Sequence, residues 1–125
     1  MIILASSSPR RIELLKTLYN DFKIIKPTFD ESLISKNDKD LALKESYEKG
    51  KSILNPTYFN DLIISADTIV RLNNKVYGKP KDKNEAITFL KELSNNTHEV
   101  VTGYSLFFKG KVISKQVVTY VTFNC

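Results

Sequence analysis

Three serines, a proline and two arginines stand in succession from Ser6 to Arg11, directly after the apolar run Met1 to Ala5. Serine hydroxyls beside the free N–H groups of a helix start, with the positive end of the helix dipole behind them, make a site for phosphate or carboxylate. Guanidinium groups add paired donors that match phosphate oxygens. On a helical wheel Ile12, Leu15, Leu18 and Tyr19 share one face and Arg11 falls inside it, which predicts an anionic partner for Arg11. Arg10 falls at the edge of that face, and because helical side chains lean toward the N-terminus both arginines can reach over the serine loop. A structural alternative stands beside this: Ser8 merely caps the helix while one arginine pairs with a core carboxylate. The sequence has no G-x-x-x-x-G-K-S/T, so the loop is not of the Walker type.

Asp67 follows Leu62-Ile63-Ile64-Ser65-Ala66, which reads as an inner strand, and the carboxyl end of such a strand is where α/β sheets place ligands. It is a candidate base or metal ligand, or else an aspartate that caps a turn. If a hairpin turns at Asn73-Asn74, Thr68 stands opposite Lys79 and Asp67 opposite Pro80. Regular pleating would put Asp67 and Lys79 on different faces, unless Gly78 allows a bulge that turns Lys79 inward. Asp30-Glu31 offers a second carboxylate for a divalent ion or a solvated acidic pair. Lys49 lies on a helix with two apolar faces, so its direction is undetermined. His98, the single histidine, has no evident triad partner and receives no catalytic part.

The elements that must position these groups follow from periodicity and punctuation. Met1 to Ala5 is read as a strand, a helix starts near Pro9, Phe22 to Lys26 is a strand, and a polar loop leads to a helix from Asp40 to Leu54. The Leu62 run comes next, then the Asn73-Asn74 hairpin. Asp82 and Glu85 suit a helix start before Ala86, Phe89, Leu90 and Leu93, and two long β segments, Glu99 to Phe108 and Val112 to Phe123, close the order. This order argues one α/β domain over residues 1–125 with a mixed β-sheet flanked by helices.

Composition narrows the classes. With 42% hydrophobic and 26% charged residues the 125-residue chain is an ordinary globular one. A net charge of +5 comes mostly from scattered lysines, which reads as a solvated surface better than as a nucleic-acid stripe. A single cysteine, Cys125, and a single histidine exclude an internal disulfide and zinc spacing. No apolar run is long enough for a membrane span or a signal peptide, so a cytoplasmic location is expected.

Taken in order, Leu4-Ala5-Ser6-Ser7-Ser8-Pro9-Arg10-Arg11 with Glu13-Leu14-Leu15, Phe29-Asp30-Glu31, Glu48-Lys49, Ser65-Ala66-Asp67-Thr68-Ile69-Val70, Gly78-Lys79-Pro80 and His98-Glu99-Val100-Val101-Thr102-Gly103 resemble the Maf family of nucleoside triphosphate pyrophosphatases, also called septum-formation-inhibitor-like proteins. The resemblance implies an elongated Maf/inosine-triphosphatase-like fold with a central cleft. It also implies hydrolysis between the α- and β-phosphates with a divalent metal cation, Mg²⁺ or Mn²⁺, and a link to cell-division arrest or to clearing modified nucleotides. Asp67 matches the family's proton acceptor. Arg10, Lys49 and Lys79 match its phosphate-side cations, Ser6 and Ser8 its loop hydroxyls, and Glu31 its second carboxylate; Arg11 joins the substrate-binding set. Ala-Asp-Thr looks like the dTTP and UTP branch, with Thr68 and Arg10 as specificity positions. Two departures stand out. Glu45, Ser46 and Gly50 replace apolar and alanine positions around the family's lysine, and no match exists to a later Gly-, Ala- and Tyr-rich segment, so a fold lacking its C-terminal third is expected. The expected partner is a nucleoside triphosphate, with no stable nucleic acid, no membrane and a homodimer left open. The rival readings are a truncated, inactive nucleotide-binding remnant and a basic nucleic-acid-binding module.

Overall fold

The computed structural model describes residues 1–78 and 80–122. The elements run β1 (Ile2–Ala5), α1 (Pro9–Leu18), β2 (Phe22–Ile25), a 3₁₀ turn (Glu31–Leu33), α2 (Leu41–Lys51), a second 3₁₀ turn (Pro56–Tyr58), β3 (Leu62–Leu72), β4 (Lys75–Tyr77), α3 (Lys83–Leu93), β5 (Thr97–Phe108) and β6 (Lys111–Thr122). They form a mixed six-stranded sheet in the order β2-β1-β3-β5-β6, with β4 also paired to β3. The expected mixed α/β sheet is present. The hairpin turns at Asn73-Asn74, both at positive φ, which asparagine tolerates.

One expectation is corrected. β3 does not end before Asp67 but continues to Leu72, because β5 pairs with it without interruption from Ile63↔Phe107 to Arg71↔Glu99. The opposite edge of β3 is different. It carries β1 in parallel only up to Ala5↔Ser65, and β4 antiparallel from Val70↔Tyr77. Among the described residues, 66–69 have no strand on that side. Asp67 and Thr68 therefore sit at a notch in the sheet, just past the carboxyl end of β1, and the switch-point logic survives although the strand is longer.

A second correction concerns α1. Its wheel gathers Ile12, Leu15, Leu18 and Tyr19 into one apolar stripe, yet the helix has no buried residue, and Leu18 and Tyr19 are exposed. The helix is held instead by its start: Pro9 fits the first turn, and Ser8 Oγ accepts the Arg11 N–H. α2 is the helix seated on the sheet, against β3, β5 and β6. Its two ends rest on separate apolar clusters, Leu41 and Ala42 with Ile69 and Val101 at the start, and Ile53 with Ile3, Ala5, Ile63 and Phe107 past the end.

Between those clusters the packing is polar and tight. Ser46, Ser65 and Ser105 are fully buried. Ser65 Oγ donates to the Ser46 carbonyl at 2.6 Å, and Ser46 Oγ donates to the Leu43 carbonyl at 2.8 Å. Since each hydroxyl has one proton, Ser105 must then donate to Ser46 Oγ (2.9 Å) and Ser114 to Ser105 Oγ (2.7 Å). Small residues let the helix backbone touch the strands: a Cβ on Gly103 would lie 2.1 Å from the Ala42 carbonyl oxygen, and one on Gly50 2.2 Å from the Phe107 ring. The start of α2 lacks a side-chain cap from Asp40; Gln116 of β6 accepts the Leu43 N–H at 3.1 Å in its place.

Candidate active site

Burial alternates along β3, so Ser65 and Asp67 face α2 while Ala66 and Thr68 face the other way. On the α2 side, Glu45 and Lys49 are one helical turn apart and point to the same strand. Lys49, undirected in the sequence, turns inward and bridges two carboxylates, Asp67 Oδ1 at 2.9 Å and Glu31 Oε1 at 2.7 Å. Burial works against its charge, but the hydrogen bonds to Asp67 and Glu31 outweigh that and hold its pKa above the ordinary 10.5.

Asp67 is 8% exposed, and among the described residues no N–H or hydroxyl donates to its buried Oδ2. The neighbour that the sequence reading left without a role is Glu45, also buried, whose carboxyl hydrogen-bonds the Asp67 side chain. Two carboxylates can share such a bond only when one carries a proton. Burial, then the hydrogen bond and charge of Asp67, push Glu45 up to about 9. The signal that could have revealed Glu45 is a charged residue at an apolar-phase helix position four before Lys49. Carboxylate oxygens of Glu31, Glu45 and Asp67 all lie within 4.8 Å of one another, a donor set of hard oxygens that suits Mg²⁺ or Mn²⁺.

On the far face of β3, Arg11 Nη2 donates to Thr68 Oγ1 at 3.2 Å. The wheel predicts an anion for Arg11; a hydroxyl is what it meets, because α1 does not bury the face that would have enclosed it. Ser6 is buried, and its Oγ accepts the Ser8 N–H at 3.0 Å, which shapes the loop as β1 gives way to α1. A cleft of about 490 Å³ at this end of β1 is lined by Ser6, Ser8, Arg11, Glu31, Lys49 and Ala66, and Asp67 and Thr68 stand next to that lining rather than in it. Arg10 is exposed and is not part of that lining. Asp30 is taken up by the 3₁₀ turn it caps, accepting from Ser32 N at 3.0 Å and Ser32 Oγ at 2.7 Å, so Glu31 alone of that pair reaches the cleft. Lys79 lies outside the described residues.

A mixed sheet notched beside a serine-rich loop, with a lysine-bridged carboxylate cluster behind it, defines a class of α/β domain. The family model for Maf-like proteins matches residues 1–125, and the chain belongs to that family. It is similar to the dTTP/UTP pyrophosphatase of Thermosipho africanus, with 45% identity over 123 residues, covering 98% of this chain and 62% of that protein. The Clostridium botulinum (strain Loch Maree) protein of the same name is 44% identical over 131 residues, covering 98% and 66%. That of Pyrococcus abyssi is 42% identical over 124 residues, covering 99% and 65%. The chain thus spans just under two thirds of the length of these relatives. Among solved structures, a HAM1 protein from Coxiella burnetii aligns with a TM-score of 0.59 at 15% identity, covering 95% of this chain and 70% of that one. The Staphylococcus aureus Ham1 protein aligns at 0.52 and 18%, covering 95% and 69%. These two likenesses concern the fold. No helix among the described residues is long and apolar enough to cross a membrane.

Proposed function

We propose that this cleft hydrolyses nucleoside triphosphates, dTTP and UTP above others, to the monophosphate and pyrophosphate. One observation carries the reading: the serine loop and Arg11 line the same cleft as Glu31 and Lys49, and Lys49 is paired with Asp67 behind it. The substrates are those named for the relatives.

In this reading the Ser6 and Ser8 hydroxyls, each with a proton still to donate, and the Arg11 guanidinium hold phosphate oxygens. Arg10 and Lys79 are assigned to the same task by family resemblance, and Thr68, already in contact with Arg11, to substrate choice. Asp67 orients a water and takes its proton as the water oxygen bonds to the α-phosphorus and the bond to the β-phosphate oxygen breaks, releasing pyrophosphate. Lys49 pairs with Asp67 through Oδ1 and leaves Oδ2 without an ion-pair partner among the described residues. Glu31 and Asp67 would hold a divalent cation, which when bound offsets phosphate charge and acidifies water.

The test is pyrophosphate release from dTTP and UTP with Mg²⁺ or Mn²⁺, run beside Asp67→Asn. Loss of the base should cost on the order of 10² to 10⁴ in rate. Equal turnover by the variant would remove Asp67 from the role, and nucleotide binding with no turnover in the unaltered chain would make this a binding protein.

A further inference from the structure

Glu45 is a buried carboxylate for which the proposed chemistry so far has no use. It is 7% exposed, and among the described residues no N–H or hydroxyl donates to it; its polar contact is the side chain of Asp67. The ammonium of Lys49 is committed to Glu31 and Asp67 and forms no ion pair with Glu45. Asp67 Oδ2, also buried, has no donor either. Three elements that are distant in sequence, the first 3₁₀ turn, α2 and β3, thus bring carboxylate oxygens within 4.8 Å of one another, and among the described residues Lys49 is the cation paired with them. With all three ionised and Lys49 charged, the cluster as formed by the described residues carries two uncompensated negative charges, the amount one divalent cation cancels. A carboxylate buried beside another is costly unless it holds a proton or meets a cation.

We propose that Glu45 is a direct ligand of a hard divalent cation, completing with Glu31 and Asp67 a three-carboxylate site. Three carboxylate oxygens from rigidly placed elements suit Mg²⁺ or Mn²⁺, and each added anionic ligand raises affinity. Glu45 lies on the inward face of α2, whose seat on β5 at Gly103 and on Ser65 fixes its distance from Asp67. The inference rests on the hydrolytic reading for its purpose, while its test involves neither nucleotide nor turnover.

The experiment is a titration of the nucleotide-free chain with Mn²⁺ alone, followed by calorimetry and by the paramagnetic resonance of free Mn²⁺. Saturable binding is expected for the unaltered chain, and binding weaker by about tenfold or more for both Glu45→Gln and Glu45→Leu. Glu45→Gln is isosteric and keeps a hydrogen bond to Asp67; Glu45→Leu suits an apolar-phase helix position, so at least one should retain the native circular dichroism. Affinity unchanged in a folded variant, or no saturable Mn²⁺ binding in the unaltered chain, overturns the assignment. Either result leaves pyrophosphate release from dTTP and UTP to be decided by its own assay, and absent turnover would leave Mn²⁺ binding as measured.

Discussion

Replacing Gly103 by alanine should disable the site without touching any group in it. A Cβ there would lie 2.1 Å from the Ala42 carbonyl oxygen, 2.2 Å from its carbon and 2.5 Å from the Leu43 nitrogen, all backbone atoms of α2. Ordinary contact begins near 3.4 Å, so the helix must retreat by about 1.3 Å at that point. Neither partner can yield by rotating a side chain, and Gly103 is locked between Asp67 on β3 and Gln116 on β6. Over-packing of this kind costs about 3 kcal/mol, at the upper end of its usual range. A retreat of α2 also draws Glu45 and Lys49 away from Asp67, and displacement of about 1 Å is worth roughly 10² in rate. Urea denaturation measures the first effect; Mn²⁺ titration and pyrophosphate release measure the second. Gly78→Ala is the control, since a Cβ there meets nothing within 4 Å. A Gly103→Ala chain within about 0.5 kcal/mol of the parent, with cation binding intact, would refute the claim that close seating of α2 sets the site.

Two further outcomes follow from the same cluster. Lys49→Met removes the cation shared by Glu31 and Asp67 and leaves both carboxylates beside Glu45, so urea denaturation at pH 8 should show a loss of about 3 kcal/mol, as for a buried pair stripped of one partner. In buffer free of divalent ions, Glu45, surrounded by Asp67, Glu31 and Lys49, keeps its proton in the folded chain up to about 9, whereas the unfolded chain releases it near its ordinary 4.5. The stability it contributes is therefore full below 4.5 and is lost as pH rises through 9. The stability difference between the parent and Glu45→Gln should shift against the parent over that window, and a difference that stays flat with pH would refute the raised pKa.

Much of this protein was legible in the chain itself, because the signals were local. Ser8 and Pro9 mark the start of α1 through the chemistry of its own first turn, Asn73-Asn74 marks the hairpin through backbone tolerance, and Asp82 with Glu85 marks α3. Asp67, Glu31 and the serine loop were candidates from residue type and order, and Lys49 entered through the family resemblance. The sequence could not say where Lys49 points, since a helix with two apolar faces has two ways to pack, and contact with a sheet decides between them. It misjudged α1, because a wheel shows which residues share a face but not whether anything covers it. It also ended β3 too early: pairing with β5 along the whole edge outweighs the break that Ala-Asp-Thr suggests. Above all it could not reveal Glu45 as a neighbour of Asp67, or Gln116 as the cap of α2 from 73 positions away, because such contacts exist only once a helix and two strands are pressed together through Gly103 and buried serines. Residue chemistry fixes which groups can act; the approach of α2 to the sheet decides which of them meet.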